Sequence, residues 1–175
     1  MTDVIVERLL PRPLEDEDLR AMQQGALGCF DIHRVEWLGS LVSSDRCATF
    51  CHFRGPDAES VRIALRQTAA PTGLAWACHV HDAPGLSESE LGAVTAVVLH
   101  AFDEPAEADA REVSEVVDMG CFKLHRVHRL RSYLSTDRLR LLALYAAPDA
   151  ESVRLAQRRA GLPSDRIVAV RRFVC

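Results

Sequence analysis

Apolar and polar residues alternate along VIVERLL, Val4 to Leu10, and the run stops at Pro11. That pattern predicts a strand. LEDEDLRAMQQGAL then leads with acids and continues with good helix formers. Leu14, Leu19, Met22 and Leu27 recur in it at near-helical spacing, so it reads as a helix. HRVEWLGSLVS and CATFCHFRG flank the polar turn Ser43-Ser44-Asp45-Arg46 and predict a hairpin. Pro56-Asp57 opens a second helix, DAESVRIALRQTA, with Asp57 as its N-cap and Ser60 where a capping box would place Glu. After Pro71 and Gly73, LAWACHV is the last strand. The order is βαββαβ.

The series is written twice. The forty residues from Gly28 return from Gly120 at a constant offset of 92, without a gap and with half of the positions identical. VTAVVLHAF, DAREVSEVVDM, HRLRSYLS, RLLALYA, DAESVRLAQRRAG and RIVAVRRF repeat the elements in order. A unit of this size is a small domain rather than a solenoid repeat. Residues 1–81 form the first repeat, 82–92 a polar linker bearing Pro, Gly and Ser, and 93–175 the second. The implied class is α+β, with two tandem ferredoxin-like βαββαβ domains. Helices cover one face of such a sheet. The other face needs a partner, so the expected architecture is a pseudo-symmetric, dimeric-type α+β barrel with the sheets facing each other. A cleft between the sheets would be the default ligand site.

Composition narrows the function classes. Among 175 residues, 48% are apolar and 26% charged, which is ordinary for a soluble globular protein. A net charge of −4 with few aromatics argues against a nucleic-acid reader. No apolar run is long enough to span a bilayer, and Met1 to Glu7 reads as a strand rather than a signal segment. Six cysteines without a CxxC fit reduced thiols in a cytoplasm. Cys47 and Cys51 would stand about 13 Å apart in a strand, too far for a disulfide.

VERLLP, the later W-L-x-S-x-V-S-x-D, F-C-x-F and P-D-A-E-S-V-R resemble the small bacterial nickel-binding proteins of ferredoxin-like fold, a family first catalogued as a domain of unknown function. The second copy carries R-S-Y-L-S-T-D, L-Y-A-A-P-D-A-E-S-V-R and A-G-L-P-S-D-R-I. Single-domain members of that family form dimers, which fits a tandem duplication here. The resemblance implies nickel or another divalent transition metal as ligand. Glu7, Trp37 and Cys51 match residues usual in the family, and the second copy has Leu99, Arg129 and Ala143 in their place. His or Glu is common in the family just before the serine of W-x-x-S, where this chain has Gly39 and Arg131.

Two functions follow. The first is a small cytoplasmic metal-binding protein with one asymmetric site, mainly in the first repeat, built from Glu7, Cys51, His52, His79 and His81. In a ferredoxin-like sheet the first and third strands are neighbours, so Glu7 and Cys51 are expected within reach of each other. His79 and His81 share one side of a strand about 6.6 Å apart, a spacing that lets both bind one ion. His125 and His128, at odd spacing in a segment read as a strand, should not. The alternative is a small-molecule enzyme, such as a cyclase, isomerase or cofactor-free oxygenase, with its site between the sheets. His33, His52 or Glu7 would then be the base, Arg129 or Arg131 would steady an oxyanion, and Trp37 and Tyr133 would line the cavity. There Arg129, Arg131 and Tyr133 are expected on one face. The expected partner is a metal ion or small organic molecule, not a nucleic acid or membrane, and a homodimer of the two-repeat chain remains open.

Overall fold

The computed structural model describes residues 1–26, 29–68, 71, 73–106 and 120–173. The side chains of 19, 23–26 and 29 are not among those described, so the expected Leu19 and Leu27 contacts lie outside the described residues. So does the expected helix over 109–119. The chain divides into two compact units, Met1–Cys78 with the chain from Arg172 onward, and His79–Arg171.

In the first unit, β1 (Thr2–Leu9), α1 (Asp16–Ala26), α2 (Cys29–Ile32), β2 (Glu36–Ser43), β3 (Ala48–Gly55), α3 (Ala58–Arg66) and the start of β4 (Leu74–Asp82), whose residues from His79 on belong to the second unit, follow in order. Strand β1 pairs antiparallel with both β3 and β4, and β2 with β3, giving the order β4-β1-β3-β2. The second unit contains α4 (Glu88–Leu91), β5 (Ala96–Ala101), α5 (Cys121–Leu124), β6 (His128–Ser135), β7 (Arg140–Ala146), α6 (Ala150–Ala160) and β8 (Arg166–Phe173). Its order, β8-β5-β7-β6, is the same topology. Both units are α+β of the ferredoxin-like kind.

Identical local chemistry builds the two copies. Asp57 and Asp149 are extended N-caps, each accepting a 2.7 Å bond from the backbone N–H three residues on. In the first hairpin, Asp45 accepts from Cys47 N and Ser43 Oγ accepts from Ala48 N, with Arg46 at φ 60°. Asp137, Ser135 and Arg138 repeat the arrangement. Helices α2 and α5 were not anticipated. Each ends with a left-handed arginine, Arg34 or Arg126, and a bond from the next N–H back five residues, Val35 to Phe30 at 2.8 Å and Val127 to Phe122 at 2.9 Å. The expected linker also contains α4, closed by a reciprocal capping box between Ser87 and Glu90.

One face of each sheet meets the helices. In the first unit Val4, Val6, Cys51, Phe53 and Ala75 pack with Val61 and Ala64 of α3 and with Phe30. In the second, Ala96, Val98, Ala143 and Tyr145 pack with Val153, Ala156 and Phe122. The aromatic pair is shared: Phe30 meets Phe53 edge-on at 5.6 Å, and Phe122 stacks on Tyr145 at 6.0 Å.

Candidate functional site

The pleat decides which candidates can meet. Along β1, Val4, Val6 and Arg8 lie on the helix face, while Asp3, Ile5 and Glu7 lie on the face away from the helices. Val6 pairs with Cys51 and Ile5 with His52. Cys51 therefore points toward the helices, and His52 shares the opposite face with Glu7. The expected grouping of Glu7 with Cys51 is corrected on this point: neighbouring strands bring their backbones together, but a one-residue difference in register sends the side chains to opposite faces.

On the face away from the helices, His52 Nε2 lies 2.8 Å from Asp3 Oδ1, and Arg54 Nη2 donates to the same oxygen at 3.4 Å. Glu7 Oε1 accepts the indole N–H of Trp76 at 2.7 Å. Cys78 pairs with Asp3 across β1 and β4, and its thiol donates to the Asp3 carbonyl at 3.4 Å. Burial, reinforced by the Asp3 charge, pushes that thiol up to about 12. His79 and His81 alternate with Cys78 along β4, so they take the side of Ala75 and Ala77. The five residues expected around one ion do not converge. Among the described residues no group of three or more His, Cys, Asp or Glu is arranged to hold a metal.

A β-bulge alters the second set of candidates. Strand β2 pairs Trp37 with Phe53 but Gly39 with His52, leaving Leu38 as the extra residue. Trp37 thus joins the helix-side core and donates to Ser40 Oγ at 3.0 Å. The bulge recurs in β6, where Arg129 pairs with Tyr145 and Arg131 with Leu144. Arg129 turns to the helix face, is buried, and donates to Ser132 Oγ at 2.9 Å. Arg131 turns the other way with Tyr133 and forms a bidentate pair with Asp82, at 2.5 and 3.0 Å. The expectation that both arginines share a face with Tyr133 is therefore overturned, because the bulge adds one residue to a period-two count. Burial lowers the pKa of Arg129, while the Asp82 bond raises that of Arg131.

The histidines are also separated. His33 Nε2 meets Gln67 Oε1 at 3.0 Å, while His52 meets Asp3. His125 caps α5 rather than lying in a strand, and its Nε2 is buried without a hydrogen-bond partner among the described residues.

A cavity of about 60 Å³ in the second unit is lined by Arg129, Ser132, Ala143, Tyr145, Gln157 and apolar neighbours. Two important residues were not singled out from sequence. Asp3 holds His52, and Arg8 donates to Cys51 Sγ at 3.1 Å. Each was legible as an unequal pair at the 92-residue offset, Asp3 against Thr95 and Arg8 against His100.

A family model described as "Nickel responsive protein SCO4226-like" matches residues 5–73 and again 97–170. The chain belongs to the SCO4226-like nickel responsive family. The double match falls on the two copies. No curated relative matches the sequence. Among solved structures, one described as "Putative Chlorite dismutase" has a TM-score of 0.50 at 15% identity, covering 98% of this chain and 94% of that one. Two described as putative monooxygenases are from Fusobacterium nucleatum subsp. nucleatum and Lactobacillus acidophilus. The first has a TM-score of 0.46 at 10% identity, covering 99% of this chain and 93% of that one. The second has 0.48 at 10%, covering 98% and 94%. At such identity the first likeness is one of fold alone.

An SCO4226-like protein invites the question of where nickel would fit. A closed cage of Glu7, Cys51, His52, His79 and His81 does not exist. The His52–Asp3 imidazole–carboxylate pair does; Leu144 and Thr95 stand at its equivalent positions in the second unit, where a different pair, His100 Nδ1 and Asp165 Oδ1, lies 3.2 Å apart. Nitrogen and oxygen donors suit a borderline divalent ion, and two protein donors leave its remaining positions to water.

Proposed function

We propose that this SCO4226-like protein binds a divalent transition metal of the nickel type at a single open position in its first unit, with His52 and Asp3 as the protein donors. The observation that carries this reading is the 2.8 Å His52–Asp3 contact on the sheet face away from the helices, which the second unit lacks at the equivalent positions Leu144 and Thr95. Family membership supports nickel over other ions. Glu7 shares the face and lends negative charge while Trp76 holds it. Cys51, His79 and His81 are not donors in this reading.

The imidazole must be neutral to ligate, and with Nε2 unprotonated the ion takes the place of the Asp3–Nε2 hydrogen bond, bridging the two donors. Arg54, on the same carboxylate, competes with a cation for Asp3 and keeps affinity modest. Titration of untagged, chelator-treated protein with nickel, read by calorimetry, is expected to give about one ion per chain. His52→Ala and Asp3→Asn should each weaken binding by about tenfold or more, and Cys51→Ala should leave it unchanged. Equal heats from His52→Ala and the parent protein would remove the proposal.

A further inference from the structure

The helix side of the first sheet contains a cluster that the metal reading does not use. Arg8 is 2% exposed, making it the largest fully buried side chain among those described. Its Nε donates to the Pro71 carbonyl at 2.8 Å and its Nη1 to Cys51 Sγ at 3.1 Å. Among the described residues no carboxylate pairs with it. A guanidinium in this position is costly unless an electron-rich group offsets its charge. Thr49 is Arg8's partner in the β1–β3 register and lies on the same face, two residues before Cys51. It is 1% exposed, and its hydroxyl has no hydrogen-bond partner among the described residues. A buried cation thus touches the sulfur, and an unpartnered hydroxyl shares its strand face two residues away.

The duplication supplies an internal control. At the equivalent positions the second unit has His100, Leu141 and Ala143. All three polar members are replaced together, while the surrounding scaffold is kept: Val6 against Val98, Ser40 against Ser132, Pro71 against Pro163. A merely structural arginine would not need a thiol and a hydroxyl to come and go with it.

We propose that Cys51 is a peroxide-reactive thiol, with the Arg8 guanidinium and the Thr49 hydroxyl as the polar groups that assist its reaction. An electron pair of Cys51 Sγ attacks one peroxide oxygen, the S–O bond forms and the O–O bond breaks. The thiol proton ends on the departing oxygen, so Cys51–SH and ROOH become Cys51–SOH and ROH. Sulfur loses two electrons and the peroxide gains them. The Arg8 guanidinium offsets the negative charge that develops on sulfur and on the departing oxygen, and the Thr49 hydroxyl hydrogen-bonds the peroxide. Near-complete burial of Cys51 favours a small neutral oxidant over bulky reagents. Pro71, which holds Arg8, also lines a cleft of about 430 Å³ with Leu10, Arg12, Leu14 and Met22.

The test treats the full chain, in chelator and without nickel, with equimolar hydrogen peroxide. Samples are quenched into denaturant containing dimedone, and each cysteine is followed by peptide mass spectrometry. Cys51 should react about tenfold faster than Cys47, Cys78 and Cys121. Thr49→Val preserves shape and removes only the hydroxyl, and Arg8→Lys preserves the cation. Each should slow Cys51 by about tenfold while leaving Cys47 and Cys121 unchanged. Reaction of Cys51 no faster than Cys78, or an unchanged rate in folded Thr49→Val protein, overturns the proposal. If Arg8→Lys does not fold, the wild-type ranking and Thr49→Val decide alone. Because nickel is absent throughout and His52 lies on the opposite face, this outcome is independent of the metal titration.

Discussion

Tyr145 and Gln157 make a matched replacement between the two copies. Where the first unit has Phe53 and Leu65, the second has a phenol and an amide, and Gln157 Nε2 donates to Tyr145 Oη at 3.0 Å in a fully buried setting. Gln157→Leu alone strands the hydroxyl and should cost about 1–3 kcal/mol in a urea melt. Adding Tyr145→Phe restores the first unit's apolar pair and should recover most of the loss, a non-additive cycle. Burial also pushes the Tyr145 hydroxyl up to about 12 from its ordinary 10.0, as it pushes Cys78 up to about 12 from 9.0. Both groups hold their protons more tightly when folded. Their contribution is complete below pH 9 and is lost as pH rises toward 12, at about 1.4 kcal/mol per pH unit for each group within its window. Urea melts at a series of alkaline pH values should show this decline. Cys78→Ala combined with Tyr145→Phe should flatten it.

At the scale of elements, helix ends and turns follow local chemistry. Gly161 ends α6 in the left-handed region at φ 66°, with Leu162 N bonding Gln157 O at 3.0 Å and Gly161 N bonding Arg158 O. Gly161→Ala should cost about 1 kcal/mol from the backbone alone, measured by urea unfolding. Strands, hairpins and the Asp57 and Asp149 caps were legible from alternation, turn residues and cap chemistry. Helices α2 and α5 were not. Four residues are too few to show a helical period, and their left-handed stop is carried by arginine instead of the glycine that usually marks it. The bulges in β2 and β6 were equally hidden. Neither Leu38 nor Leu130 differs in type from a paired strand residue, and only the register reveals the extra count.

At the scale of the molecule, the second unit is a natural variant of the first and can be used as one. Installing His100→Arg, Leu141→Thr and Ala143→Cys together should give the second unit its own reactive thiol. Peroxide treatment and dimedone quenching would then label position 143 as well as position 51. Ala143→Cys alone should react about tenfold more slowly than the triple variant, because it lacks the guanidinium and the hydroxyl. Equal labelling of the single and triple variants would mean that the neighbours contribute nothing.

The sequence alone determined the duplication, the order of elements, the ferredoxin-like topology and the family. These depend on hydrophobic period, turn chemistry and capping, which are local and survive being read one residue at a time. It also marked Glu7, Trp37, Cys51 and His52 as residues without a twin. Only the tertiary structure decided which of them share a face. Side-chain direction in a sheet reverses with each residue, so register and a single bulge reassign partners that spacing cannot distinguish. That parity put His52 with Asp3 and Cys51 with Arg8, and it parted Arg129 from Arg131.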